Sequence, residues 1–390
     1  MKIHNIGIIG YGGFGKFLHN SWTKLENARV VAVADKAAQQ TQGLRSVRTY
    51  THWPDILLEK DIDLVAIATV PDTHEEIATA CMEAGKHILI EKPLAISLTE
   101  AEKIIQTRNQ TQVVAAIDFM MRFNPLLQEI QSLTHGEVFG KLRRVSVENY
   151  AQDALLPPDH WFWRPGCSGG ILIEHGVHFI DLVHFLNPAK PLSVTGLKHN
   201  RTPRQEDQAI ANVLYEGGLF ATHYHAFSRP GFFEATKIKL AYDLADLELH
   251  GWIPLRAELK ALVNPSTKQK LLSSALFEMG SAIPIQEAAD ESRPAGWGPP
   301  DSPIPPTERF IRSGGIRYEV DEMVSGQLLT RRSKQDIYSS SVRASLLDVL
   351  RKIDDPAHLL TAPLEAGLAS LEIAVKATEF ARKAPGVLKN

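Results

Sequence analysis

Residues 10–15 read Gly10-Tyr11-Gly12-Gly13-Phe14-Gly15, between a short apolar run, Ile6–Ile9, and a helical stretch reaching about Leu25. A G-x-G-x-x-G at a strand-to-helix turn leaves few folds open. Gly10 permits the tight turn, Gly12 lets backbone approach a pyrophosphate, and Gly15 lets the helix pack on the strand. The helix N-terminus then offers free N–H groups and a partial positive charge to an anion. Asp35, twenty residues beyond Gly15, closes the next apolar run, Val30–Ala34. A carboxylate there can accept hydrogen bonds from a ribose diol. It repels a 2′-phosphate and so favours NAD, while the nearby Lys16 and Lys36 keep NADP open.

Further short apolar runs follow at Leu64–Ala68, His87–Ile90 and Val113–Ala116, each after a helical stretch. Such runs suit strands buried on both faces of a parallel sheet. Thr73-His-Glu-Glu76 and Ser97-Leu-Thr-Glu100 have capping-box spacing, which predicts two helix starts just after strand ends. From about residue 119 the texture changes. A helix is expected over 124–133 and a strand over 142–150. Alternating segments at 209–215 and 219–227 flank Glu216-Gly217-Gly218, a hairpin signal. More strands are expected at 236–242, 245–250 and 252–262, and closing helices at 335–352 and 363–383. Residues 294–306 hold six prolines and two glycines in 13 positions, which excludes a regular element there.

The fold expected is α/β. An N-terminal Rossmann parallel sheet occupies residues 1–120. A C-terminal α+β domain with an open-faced, mainly antiparallel sheet occupies 121–362, with a Pro-rich insertion at about 263–315. Residues 363–390 form a C-terminal helix packing back on the body. Lys plus Arg is 42 and Asp plus Glu is 45, a near-balance that gives no electrostatic footprint for nucleic acid or an anionic membrane. No apolar run approaches the roughly 18 residues of a membrane helix. The first residues read as a strand entering a glycine loop and not as a signal peptide. Two cysteines, Cys81 and Cys167, exclude a disulfide framework and fit a reducing cytoplasm.

Residues 170–186 are mostly apolar, yet Glu174, His178 and Asp181 stand at i, i+4 and i+7. On a regular helix these share a narrow sector of one face. Buried ionisable groups are costly unless they serve one another or a ligand. A carboxylate beside an imidazole raises its basicity, which suits a general base near neutral pH. His175, His178, Glu174 and Asp181 are also metal-ligand types, but there is no H-E-x-x-H, and no metal is expected. His160, Trp161, Trp163 and Arg164 precede this helix. Indole faces stack on the C–H faces of sugars and Arg donates to hydroxyls, although both tryptophans serve equally well as core anchors. Arg122 lies where the chain crosses between domains and is a candidate to face the cofactor. His223 and His225 alternate on a strand and are expected at exposed or interface positions.

Several longer motifs occur in order: the stretch Ala66–Ala95 ending in Glu91-Lys92-Pro93, Asp118–Pro125, Trp163-Arg164-Pro165, Gly169–Asp181 and Gly367–Lys383. Over residues 1 to about 260, and in the last helix, the chain resembles the glucose–fructose oxidoreductase and inositol dehydrogenase (Gfo/Idh/MocA) family. The resemblance implies an NAD(P)-dependent oxidoreductase acting on CH–OH groups, with a sugar, glycoside or cyclitol as substrate. It places the cofactor along Gly10, Tyr11, Gly12, Gly13, Phe14, Gly15, Asp35, Thr69, Val70, His74, Glu91 and Lys92. It implies that Lys92 sits beside the nicotinamide and often precedes a cis proline. Lys92 would stabilise a developing alkoxide, His178 would take the hydroxyl proton, and Glu174 would support His178. Trp161, Trp163, Arg164 and Asp181 would meet substrate, Asp181 alternatively bracing the helix. The family pattern has Asp where this chain has Glu174. A homodimer or homotetramer through the open sheet face is expected. Two rivals remain: a catalytically silent dinucleotide-binding regulator, and a reductase of a linear tetrapyrrole or dihydrodiol.

Overall fold

A computed structural model describes residues 2–164, 166–288 and 309–383. The apolar runs of the first 120 residues become six parallel strands: β1 (His4–Ile9), β2 (Ala28–Ala34), β3 (Arg48–Tyr50), β4 (Leu64–Ile67), β5 (His87–Ile90) and β6 (Ala115–Ile117), in the order β3-β2-β1-β4-β5-β6. β4 is buried at every position, as a strand covered on both faces must be. Helices α1 (Gly13–Trp22), α2 (His74–Glu83) and α3 (Leu98–Thr111) cross between strands. Strand order reverses between β1 and β4, and the crevice at that switch point is where open parallel sheets hold ligands.

The second sheet has nine strands: β7 (Leu142–Gln152), β8 (Pro191–Thr202), β9 (Gln205–Tyr215), β10 (Phe220–Arg229), β11 (Ala235–Tyr242), β12 (Ala245–His250), β13 (Arg256–Val263), β14 (Phe277–Pro284) and, after the two-stranded hairpin β15 (Phe310–Ser313) and β16 (Ile316–Glu319), β17 (Glu322–Leu329). Their order is β14-β17-β13-β12-β11-β7-β10-β9-β8, antiparallel except for the β7–β10 pair. The hairpin expected at Glu216–Gly218 joins β9 to β10. One face of this sheet carries α4 (Pro125–His135), a π-helical turn (Leu172–Gly176) that runs into α5 (Val177–Leu186), and α9 (Leu364–Lys383). The opposite face is open, with Leu197 and Phe220 exposed on it.

Several expectations change. Thr73 does not cap α2: its hydroxyl donates to Thr69 Oγ1 and the Val70 carbonyl, while Ser97 does cap α3 by accepting from the Glu100 N–H. The strand expected over 252–262 starts at Arg256, leaving Trp252 in a turn. The segment expected as a Pro-rich insertion at 263–315 contains α6 (Pro265–Leu272), β14 and the single turn α7 (Ile285–Ala288); the Pro-rich stretch 294–306 lies outside the described residues. β8, β14 and β17 lie outside the strands anticipated from the pattern. Finally α8 (Lys334–Asp354) returns to the first sheet, where the Trp22 indole donates to the Val342 carbonyl at 3.1 Å. That return brings Tyr338 against Phe17, with ring centroids 4.5 Å apart.

The glycines of the loop behave as their spacing requires. Gly10 has φ +89°, and a Cβ on Gly15 would lie 2.1 Å from the Gly10 carbonyl oxygen. Gly15→Ala should therefore push α1 off β1. It should cost about 1–3 kcal/mol in denaturant unfolding and weaken NAD binding in a calorimetric titration.

Candidate active site

One cavity of about 560 Å³ runs from the glycine loop to the second-domain helix. Gly10, Gly12, Gly13 and Phe14 line one end together with Asp35, Lys36, Thr69 and Val70. A Cβ on Gly12 or Gly13 would meet nothing within 4 Å, so the helix N-terminus stands open to a phosphate. Asp35 is held by two backbone donors, Tyr11 N–H at 2.8 Å to Oδ2 and Ala37 N–H at 2.9 Å to Oδ1. Lys16 turns away to Gln40 Oε1 at 2.7 Å, which leaves Lys36 as the lining cation near the carboxylate. These residues fit a dinucleotide.

The other end is lined by Glu91, Lys92, Met120, Trp161, Glu174, His175, His178, Trp252 and Tyr338. Lys92 follows β5 and its peptide bond to Pro93 is cis. Its Nζ donates to the backbone carbonyl of Glu174 at 3.0 Å. That bond crosses from the first sheet to the π-helical turn and leaves two ammonium protons for a ligand. Glu91 is buried against Asp118. Burial, and then the negative charge of Asp118, push its carboxyl well above the usual range.

The π-helical winding of Leu172–Gly176 changes the spacing between Glu174 and the residues of α5. A π turn takes an extra residue, so regular-helix spacing does not carry across it. Glu174, His175 and His178 all reach the cavity. Asp181 does not. It is fully buried and takes the Arg122 guanidinium, Nη2 at 2.7 Å from Oδ1 and Nε at 2.9 Å from Oδ2. Arg122 thus braces the helix instead of facing the cofactor, and Asp181 is a structural partner rather than a substrate ligand. Nor do Glu174 and His178 bond each other. Glu174 Oε1 is unpartnered, and so is His178 Nδ1. Burial raises the Glu174 carboxyl to about 7, partly offset by Lys92. Burial, then the charge of Lys92, hold the His178 imidazole well below its ordinary value, so it is neutral with a lone pair free at physiological pH.

Other expected site residues are redistributed. Trp161 lines the cavity; Trp163 is buried with its indole on the Leu156 carbonyl at 3.0 Å, and Arg164 is exposed. Tyr11 and Gly15 act behind the loop and do not line the cavity; the Tyr11 hydroxyl pairs with His19 Nδ1 at 2.6 Å. His74 is fully buried, with Nδ1 2.9 Å from the Pro93 carbonyl and Nε2 3.2 Å from the Thr69 carbonyl, and so ties together two cavity loops from behind. His223 and His225 are not exposed: both are fully buried under α5. Trp252 and Tyr338 went unnoticed in the sequence. Trp252 follows a turn glycine and stands edge-on to His178 at 4.9 Å, whereas no local signal marks Tyr338. Among the described residues no three His, Cys, Asp or Glu side chains converge as metal ligands.

The profile described as oxidoreductase family, NAD-binding Rossmann fold, matches residues 4–119, and the GFO/IDH/MocA C-terminal domain matches residues 127–238. The chain belongs to the Gfo/Idh/MocA family. Similar curated proteins include scyllo-inositol 2-dehydrogenase (NAD(+)) of Bacillus subtilis, 28% identical over 54% of this chain and 64% of that protein. Inositol 2-dehydrogenase 2 of Saccharopolyspora erythraea is 26% identical over 63% of this chain and 73% of that protein. The match to the Bacillus protein thus spans less than two thirds of its length. Among solved structures, a levoglucosan dehydrogenase in complex with NADH and L-sorbose superposes with a TM-score of 0.73 at 16% identity, covering 98% of each chain. UDP-N-acetylglucosamine 3-dehydrogenase from Acidithiobacillus ferrooxidans superposes at 0.67, with 19% identity, over 98% of this chain and all of that one. The N-terminal domain is accordingly an NAD-binding Rossmann domain of this family, and its open glycine loop and Asp35 agree with that. Among the described residues no helix is long and apolar enough to cross a membrane.

Glu174 gives a pH-dependent signature. Unfolded, its carboxyl loses its proton near 4.5; folded, it keeps it to about 7. The folded state therefore binds more protons between those values, and stability from this group falls as pH rises through the window, by at most about 1.4 kcal/mol per pH unit. The stability difference between wild type and Glu174→Gln, measured by denaturant unfolding at pH 4.5 and pH 7, should shift in favour of the variant as pH rises.

Proposed function

We propose that the chain is an NAD-dependent dehydrogenase of a secondary alcohol in a sugar, glycoside or cyclitol. One observation carries the reading: Lys92 from the first domain and His178 from the second line the same end of a cavity whose other end holds the glycine loop and Asp35. When bound, NAD supplies the hydride acceptor. His178 is a neutral imidazole at that end and takes the hydroxyl proton. Lys92, fixed by its bond to the Glu174 carbonyl, donates to the oxygen as negative charge develops. Glu174, near half-ionised at neutral pH, offers a compensating charge on the same wall as the imidazolium forms.

Trp161 and Trp252 present aromatic surface beside these groups, which suits the C–H faces of a ring polyol and excludes water. Inositol and sugar dehydrogenases among the relatives support the same substrate class. The reading includes self-association through the open face of the second sheet, where Leu197 and Phe220 lie exposed. The presence of both Lys92 and His178 in the cavity favours an enzyme over a silent cofactor sensor.

The test is NAD reduction across a panel of inositols, pyranoses and anhydrosugars. Lys92→Ala and His178→Ala should each lower kcat by roughly 10²-fold or more, with NAD affinity by titration retained. Wild-type turnover in both variants would refute the assignment.

A further inference from the structure

A row of imidazoles leads away from the cavity into the interface between α5 and the second sheet, and the proposed chemistry does not use it. Ring centroids step from His178 to His175 in 6.4 Å, from His175 to His225 in 5.5 Å, and from His225 to His223 in 6.4 Å. His223 and His225 alternate along β10, point to the same buried face, and stack within 9° of parallel. Neither nitrogen of either ring has a hydrogen-bond partner in the protein. His178 Nδ1, His175 Nε2 and the Oδ1 of Asn149, which stands opposite His225 on β7, are buried and unpartnered as well.

So many orphaned polar atoms in one place call for an explanation. Packing does not supply it. Ala221 and Phe227, on the same face of the same strand, are apolar, so an apolar side chain fits this layer and avoids the cost of burying an unpaired donor and acceptor. Metal binding does not supply it either, since no three ligand side chains converge among the described residues. A neutral imidazole has one donor and one acceptor, the combination a bridging water completes. The rings do not bond one another directly, and each free nitrogen is a group that a bridging water would complete.

We propose that His175, His225 and His223, with water between them, form a proton path that drains His178. The path rests on the reading of His178 as the base. On oxidation the carbinol C–H leaves as hydride to the nicotinamide of NAD, the C–O bond becomes a carbonyl, and the hydroxyl proton passes to the cavity-facing nitrogen of His178. The same imidazole then releases a proton from Nδ1, its buried nitrogen, into the row, which passes one proton by way of the partly exposed His184 to bulk water. Burial disfavours charge resting on any ring of the row, and Lys92 adds to that at His178 and His175. Glu174 faces the cavity side. His184, with Nε2 unpartnered, and Tyr215, whose ring lies 5.7 Å from it, stand at the far end. His223 and His225 do not line the cavity; they are positioning residues for the proton and act through His178.

Two measurements on the intact protein test this. In a high-resolution crystal structure with NAD bound, ordered water should sit within hydrogen-bond distance of the His225 and His223 ring nitrogens; a dry interface overturns the path. With a polyol that the wild type oxidises, His225→Leu and the double variant His223→Leu/His225→Leu should lower kcat about tenfold with KM unchanged, raise the solvent deuterium isotope effect on kcat, and recover on adding imidazole. His225→Gln keeps a water partner but cannot relay through a ring, and it should behave like His225→Leu even if the leucine variants fail to fold. Wild-type kcat and isotope effect in His225→Gln overturn the proposal. A wild type that oxidises no polyol sinks the functional reading itself, which is a different outcome from loss confined to the variants.

Discussion

The hydrogen bond from Lys92 Nζ to the Glu174 carbonyl joins the two halves of this molecule at the place where chemistry is proposed. It ties the loop after β5 to the π-helical turn before α5, and so sets the distance between a cation on one sheet and an imidazole above the other. The π-helical turn carries that carbonyl, and Glu174, His175 and His178 all reach one cavity wall. Behind the site, His74 holds the Thr69 and Pro93 loops, and the Arg122–Asp181 pair locks the helix that carries His178.

Burial governs the electrostatics of the cavity. His74, His175, His178, His223 and His225 all have ordinary imidazole values pulled down by loss of solvent, while Glu91 and Glu174 are pushed up. Groups that would be charged in water are therefore held near neutrality around one fixed ammonium, Lys92. In the proposed reaction an alkoxide forming there meets a single concentrated positive charge, and the base opposite is in the form that accepts a proton.

Much of this was legible in the residues, and for definite reasons. The glycine spacing at 10–15 and Asp35 follow from local backbone demands, and a local demand leaves a local signature: Gly10 needs its positive φ, and Gly15 needs the absent Cβ. Ser97 could be read as a cap because its partner lies three residues on. What escaped depends on contacts distant in sequence or on a local irregularity. The π turn has no compositional mark, so regular-helix spacing paired Glu174 with His178; of the two roles the resemblance implied for Asp181, its bond to Arg122 agrees with bracing the helix. Tyr338 reaches the cavity only because α8 folds back onto α1. Alternation placed His223 and His225 correctly on one face, but strand alternation alone does not say which face is covered, and these lie under α5. The strands β14 and β17 come from a segment whose pattern did not separate sheet edge from insertion.

The most direct measurement is the structure of the ternary complex with NAD and a polyol that the protein oxidises. The account predicts one carbinol oxygen within about 3 Å of both Lys92 Nζ and the cavity-facing nitrogen of His178, with the carbon it belongs to facing the nicotinamide. A polyol seated with its carbinol beyond reach of either group, or on the far side of the cavity from the π-helical turn, would contradict it.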